Sequence, residues 1–125
     1  MLTNSEKVSV YAELFVNTFK ATHRLKGEII EMKEASIEKF LKERIEANGG
    51  VCLKFNSTSM RGVPDRICML PNGRIFFVEL KAPGKTARPE QLRAHRLFKN
   101  LGQRVYVCDS RSSVCEVIIN EVCTA

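Results

Sequence analysis

The sequence predicts an α/β protein, a mixed central β-sheet flanked by helices, with its elements in the order α-α-β-β-β-α-β-α. Two observations carry that prediction. Apolar residues recur at helical spacing in separate segments, while the runs between them are rich in strand formers and broken by turn residues. A helical pattern then separates the third strand from a fourth, an alternation that yields a mixed sheet with helices on its faces.

The elements follow in order. Val8, Tyr11, Phe15 and Phe19 form one face of a helix over about 5–20, and the polar stretch Lys20 to Lys26 follows it. Ile37, Phe40, Leu41 and Ile45 form the stripe of a second helix from about Glu34 to Ala47, which Asn48-Gly49-Gly50 stops. Val51 to Phe55 reads as a strand and Asn56 to Gly62 as a polar loop. A hairpin comes next, Arg66 to Leu70 and Arg74 to Leu80, turning at Pro71-Asn72-Gly73. Pro89 suits the first position of a helix and Gly102 its C-terminal stop. Arg104 to Cys108 is a fourth strand. Val114 to Val122 is rich in strand residues, yet Ser113 and Glu116 fit a capping box, which favours a short helix.

With 125 residues the chain suits one core-forming domain, with residues 1–31 as a helical extension and 32–125 as the domain proper. No run approaches the roughly 18 to 20 apolar residues of a membrane span, and Glu6 and Glu13 interrupt the N-terminal apolar segment that a signal peptide needs. The expectation is a cytoplasmic protein with no membrane partner. Its five cysteines are odd in number and lack any Cys-x-x-Cys pair, which fits buried thiols better than disulfides or zinc. In a cytoplasmic chain the sequon Asn56-Ser57-Thr58 carries no meaning. The net charge of +6 is concentrated: Lys81, Lys85, Arg88, Arg93, Arg96, Lys99 and Arg104 face Glu90 alone. Such a segment suits a polyanion, nucleic acid above all, although a solvated helix face has the same composition.

The hairpin carries charges where apolar residues would be expected: Asp65 at its entry, Glu79 and Lys81 at its exit. A two-residue turn at Asn72-Gly73 would put Asp65 and Glu79 on opposite faces. A three-residue turn, with Pro71 first and Gly73 left-handed, pairs Leu70 with Arg74 and sets Asp65 opposite Glu79, with Lys81 on the same face. Two carboxylates about 4 to 5 Å apart at Cβ repel unless a cation separates them. Together with a main-chain carbonyl they suit Mg²⁺ or Mn²⁺, and a nearby ammonium can orient a water for phosphodiester hydrolysis. The plainer reading makes Lys81 an ion-pair partner at the sheet rim.

Pro64-Asp65 followed by Glu79-Leu80-Lys81 resembles the PD-(D/E)xK nuclease signature. The wider strings Arg61-Gly62-Val63-Pro64-Asp65-Arg66, Phe77-Val78-Glu79-Leu80-Lys81-Ala82-Pro83-Gly84, Pro89-Glu90-Gln91 and Val105-Tyr106-Val107 resemble the VRR-NUC domain in its compact stand-alone form, over about residues 33 to 122. The resemblance implies a restriction-endonuclease-like core and a Mg²⁺-dependent endonuclease, with Mn²⁺ as substitute. Asp65, Glu79, Glu38 and the Leu80 carbonyl would hold metal, Lys81 would act on the water, and Gln91 would support them, with Glu34 as the alternative to Glu38. Lys54, Arg61, Lys85, Arg88, Arg93 and Arg96 are the expected phosphate contacts. It further implies a homodimer acting on branched DNA, notably four-way junctions, with flap, exonucleolytic or nicking cleavage as the alternative and a non-catalytic DNA-binding domain as the remaining one. Arg88 departs from the pattern, standing where a small helix-capping residue is expected. His23 and His95 read as ordinary, His95 as a partly buried surface histidine on the basic helix.

Overall fold

The computed structural model describes Thr3, Glu6 and residues 34–123. The helix expected at 5–20 and His23 lie almost wholly outside them. The described elements are α1 (Glu34–Ala47), β1 (Val51–Lys54), β2 (Arg66–Leu70), β3 (Arg74–Leu80), α2 (Pro89–Asn100), β4 (Val105–Cys108) and α3 (Arg111–Cys123). The strands form one sheet in the order β1-β2-β3-β4. β1, β2 and β3 pair antiparallel, and β4 runs parallel to β3, so the sheet is mixed.

Alternation sorts the side chains onto two faces. Cys52, Cys68, Leu70, Phe76, Val78, Leu80 and Cys108 pack with Ile37, Leu41 and Ile45 of α1 and with Val114, Val117 and Ile118 of α3 into the core. On the opposite face, α2 closes over Phe77, where the rings of Phe55, Phe77 and Phe98 meet at centroid distances of 5.0 to 6.2 Å. The chain leaves α1 through Gly49 at φ 82°, and Gly50 lies so close to β2 that an added Cβ would meet the Met69 carbonyl oxygen at 2.2 Å.

The hairpin takes the three-residue turn. Leu70 pairs with Arg74 and Arg66 with Val78, so Asp65 and Glu79 fall at the next position outward. Gly73 is left-handed at φ 74°, as expected, and Asn72 is left-handed as well, at φ 69°. Asn tolerates that region better than most residues. The final segment is a helix, as favoured, but it begins earlier. Ser110, not Ser113, caps it: the Ser113 amide donates to Ser110 Oγ, and the Ser110 amide donates back to Ser113 Oγ.

At the start of β3, far along the strand from Glu79, α3 contributes the fully buried carboxylate of Glu121. It accepts hydrogen bonds from Arg74, Arg104 and the Tyr106 hydroxyl, tying β3 and β4 to α3. Removing it takes a buried charged acceptor from Arg74, Arg104 and Tyr106, all three of them partly exposed. Glu121→Ala should cost roughly 2 to 3 kcal/mol in urea denaturation. An unchanged midpoint would mean the cluster does not secure the helix.

Candidate active site

The site forms where β2 begins, β3 ends and α2 begins. The Phe55 amide donates to the Asp65 carbonyl at 2.8 Å, extending the β1–β2 ladder past its end and holding Asp65 in line. Asp65 Oδ2 accepts the Leu80 amide at 3.0 Å across the hairpin. Its carboxyl comes within hydrogen-bonding reach of Glu79. The Lys81 amide donates to the Cys108 carbonyl at 2.9 Å, so β3 stays extended and Glu79 and Lys81 project to the same side. Lys81 Nζ lies 3.5 Å from Glu79 Oε1.

α2 completes the cluster. Gln91 is buried and makes three bonds. Its Nε2 donates to Glu79 Oε1 at 2.9 Å, while its Oε1 accepts from Lys81 Nζ at 2.8 Å and from the Arg88 amide at 2.9 Å. The last bond explains the departure at Arg88. A guanidinium has no acceptor with which to cap a helix, and Gln91 reaches back to the first amide instead. Gly62 permits the approach of the preceding loop: at φ +82°, its missing Cβ would sit 2.5 Å from the Glu90 carbonyl oxygen and 2.9 Å from the Gln91 nitrogen.

The sequence-predicted residues therefore divide. Asp65, Glu79, Lys81 and Gln91 converge. Glu38, Glu34, Lys54, Asp65 and Leu80 line one cleft of about 160 Å³. Glu38 is engaged there by an ion pair with Arg66, a buried residue whose role the sequence reading did not foresee. Arg66 adjoins Asp65, so alternation sends it to the α1 face. Arg61 and Arg93 line a second groove with Met60 and Leu97. Lys85 and Arg96 are exposed, and exposed Arg88 lies 3.6 Å from Glu90, a pairing of little energetic weight. His95 departs from expectation: it is buried, not at the surface, with Nε2 3.7 Å from Glu79 Oε2. The signal was its spacing, four residues beyond Gln91 on the same helix face.

Burial and the neighbouring Asp65 push the Glu79 carboxyl up to about 7, against the pull of Lys81. Burial, with Lys99 and Lys81 nearby, pushes His95 down. Among the described residues, no three side chains of His, Cys, Asp or Glu cluster as a metal site. A cation here would rest on the two carboxylates and a main-chain oxygen. The pair is suited to that: Glu79 Oε2 is buried without a hydrogen-bond partner, and the carboxyl is held back from ionising by burial and by the acid beside it.

A mixed sheet that gathers an Asp, a Glu-x-Lys pair and a helix-borne Gln at one strand end is the restriction-endonuclease-like class of fold and site. Residues 6–112 match the model of the VRR-NUC domain, and the chain belongs to that family. It is 50% identical over 80 residues to a protein of Acyrthosiphon pisum secondary endosymbiont phage 1 named "Putative nuclease p44", covering 64% of this chain and 86% of that protein. A solved VRR_NUC domain superposes with a TM-score of 0.65 at 36% identity, covering 70% of this chain and 96% of that one.

The raised Glu79 makes the metal-free protein sensitive to pH. A carboxyl moved from 4.5 to about 7 favours the fold while protonated; that contribution is full below about 4.5 and is lost as pH climbs through 7. His95 acts in the opposite direction toward acid, and it is common to wild type and Glu79→Gln. Between about pH 5 and about pH 8, wild type should lose stability relative to Glu79→Gln, by up to roughly 3 kcal/mol. Melting curves of the two proteins that shift in parallel would contradict this.

Proposed function

We propose that this VRR-NUC nuclease is a Mg²⁺-dependent, structure-selective DNA endonuclease that works as a homodimer on four-way junctions, with Mn²⁺ able to replace Mg²⁺. The observation that carries the reading is the convergence of Asp65, Glu79, Lys81 and Gln91, four polar groups that a core would otherwise exclude. Asp65, Glu79 and the Leu80 carbonyl would hold the cation. Glu38 joins them in the proposal on the strength of the cleft it shares with Asp65, where Arg66 already engages it. When bound, the cation would polarise the scissile phosphate and offset its charge.

The chain's own residues do the rest. Lys81 has three N–H donors; Gln91 accepts one, Glu79 lies near another, and one is left to orient a water or meet developing charge on the phosphate. Gln91 fixes Lys81 relative to Glu79 by bonding both. Asp65 is aimed by the Leu80 amide. Arg61 and Arg93, in one groove beside the start of α2, would hold the backbone of the strand to be cut, with Lys54, Lys85, Arg88 and Arg96 as outlying phosphate contacts. Such contacts position DNA without reading its bases, in keeping with selection by structure. A junction presents two symmetry-related strands, and a two-fold dimer presents two sites.

Two measurements test this. Purified protein with labelled four-way, flap and linear DNA, in Mg²⁺ or EDTA, should cut the junction alone or best and only with metal. Light scattering should give about twice the chain mass of 14.2 kDa. A strict monomer that cuts flaps would replace the junction reading with a flap one. Asp65→Asn and Glu79→Gln should abolish cleavage while retaining DNA binding. Lys81→Ala should bind metal and DNA yet lose on the order of 10²-fold or more in turnover. If Lys81→Ala instead melts early and still cuts DNA, the lysine is only an ion-pair partner.

A further inference from the structure

Glu79 is approached from one helix at both of its oxygens. Gln91 and His95 lie one turn apart on α2, and both are buried. Gln91 donates to Oε1, whereas Oε2 is buried with no hydrogen-bond partner. His95 Nε2 is likewise buried and unpartnered, and the two orphaned atoms face each other at 3.7 Å. An unmet buried donor or acceptor costs about 1–3 kcal/mol, so two facing orphans favour the small ring movement that joins them.

We propose that His95 is a positioning residue for Glu79, its Nε2–H donating to Oε2 while Gln91 holds Oε1. Which nitrogen carries the proton decides the contact. A neutral imidazole has one N–H. With the proton on Nδ1, the Nε2 lone pair would face carboxylate oxygen lone pairs, which repel it; with the proton on Nε2, the contact is a hydrogen bond. The carboxylate is then gripped at both ends by groups on a single rigid element, and neither grip exhausts its acceptor capacity, since each oxygen keeps a lone pair for a cation. Without His95, Glu79 keeps the Gln91 bond and the Lys81 ion pair, both at Oε1, and Oε2 can swing about that end. Partners of this kind typically alter metal affinity 10- to 100-fold. The role rests on the proposed metal reading of Glu79, although the contact itself does not.

The test therefore has one arm on each. The chain holds two histidines, so a His23→Gln background leaves His95 as the sole imidazole. In metal-free protein at about pH 9, well above the Glu79 value of about 7 so that its carboxylate is ionised, long-range ¹H–¹⁵N spectra should show the Nε2–H tautomer, and Glu79→Gln should shift the His95 ring nitrogens. A Nδ1–H tautomer, or ring nitrogens indifferent to residue 79, would overturn the proposal whatever the metal does. In the second arm, Mn²⁺ alone is titrated by calorimetry. His95→Leu should weaken binding by about 10-fold or more, and His95→Gln, whose amide nitrogen reaches the place of Nε2, should stay within about 3-fold of wild type. Equal affinity in all three would overturn the positioning role. Should His95→Leu fail to fold, the tautomer and the response of the His95 ring nitrogens to residue 79 still decide. If Asp65→Asn and Glu79→Gln also leave Mn²⁺ affinity unchanged, the proposed metal reading fails instead.

Discussion

Two carboxylates facing each other across a hairpin dictate the layout of this protein. Asp65 and Glu79 are brought together by the β2–β3 register, and their mutual repulsion in a buried corner is what every neighbour answers. The Leu80 amide takes up Asp65, Lys81 brings a positive charge, and Gln91 bonds both the acid and the lysine. The residual strain is visible in Glu79, whose carboxyl is driven toward neutrality. A structure meant only for stability would replace such a group with an apolar one of similar volume. Its presence at a strand end, beside basic residues, supports the nuclease reading proposed for the site.

The scaffold isolates this corner from the rest of the fold. The core between the sheet and α1 and α3 lies on the other face and borders the site only at the cleft lined by Glu38, Arg66 and Leu80. The Glu121 cluster ties β3, β4 and α3 at the end of β3 remote from Glu79. α2 is anchored by Phe98 against Phe77 and Phe55 and closed upon by Gly62, which sets where Gln91 and His95 point. A shift of this helix along its axis would move both side chains off Glu79 together. Regulating the acidic pair is thus a matter of placing one helix.

The order of the described elements, and the bounds of α1, α2 and the hairpin strands, were readable along the chain because each has a local cause. Asn48-Gly49-Gly50 ends α1, Pro89 and Gly102 bracket α2, and the Pro-Asn-Gly turn sets the hairpin register. Because that register and strand alternation are local, the meeting of Asp65, Glu79 and Lys81 could be inferred before any coordinates. The start of α3 lies earlier than expected because Ser110 and Ser113 can each cap a helix there, and in the fold they bond reciprocally with Ser110 at the cap.

What the sequence determined by itself was the element order, the turn and the gathering of three charges, since these follow from dihedral preference and period-two alternation. What only tertiary structure decided was how separate elements lean on one another. That Gln91 serves at once as helix cap and site residue, that Arg66 occupies Glu38, and that His95 is buried against Glu79 all depend on the distance at which α1 and α2 pack on the sheet. Packing distances arise from the summed volumes of many side chains, and no local pattern encodes that sum.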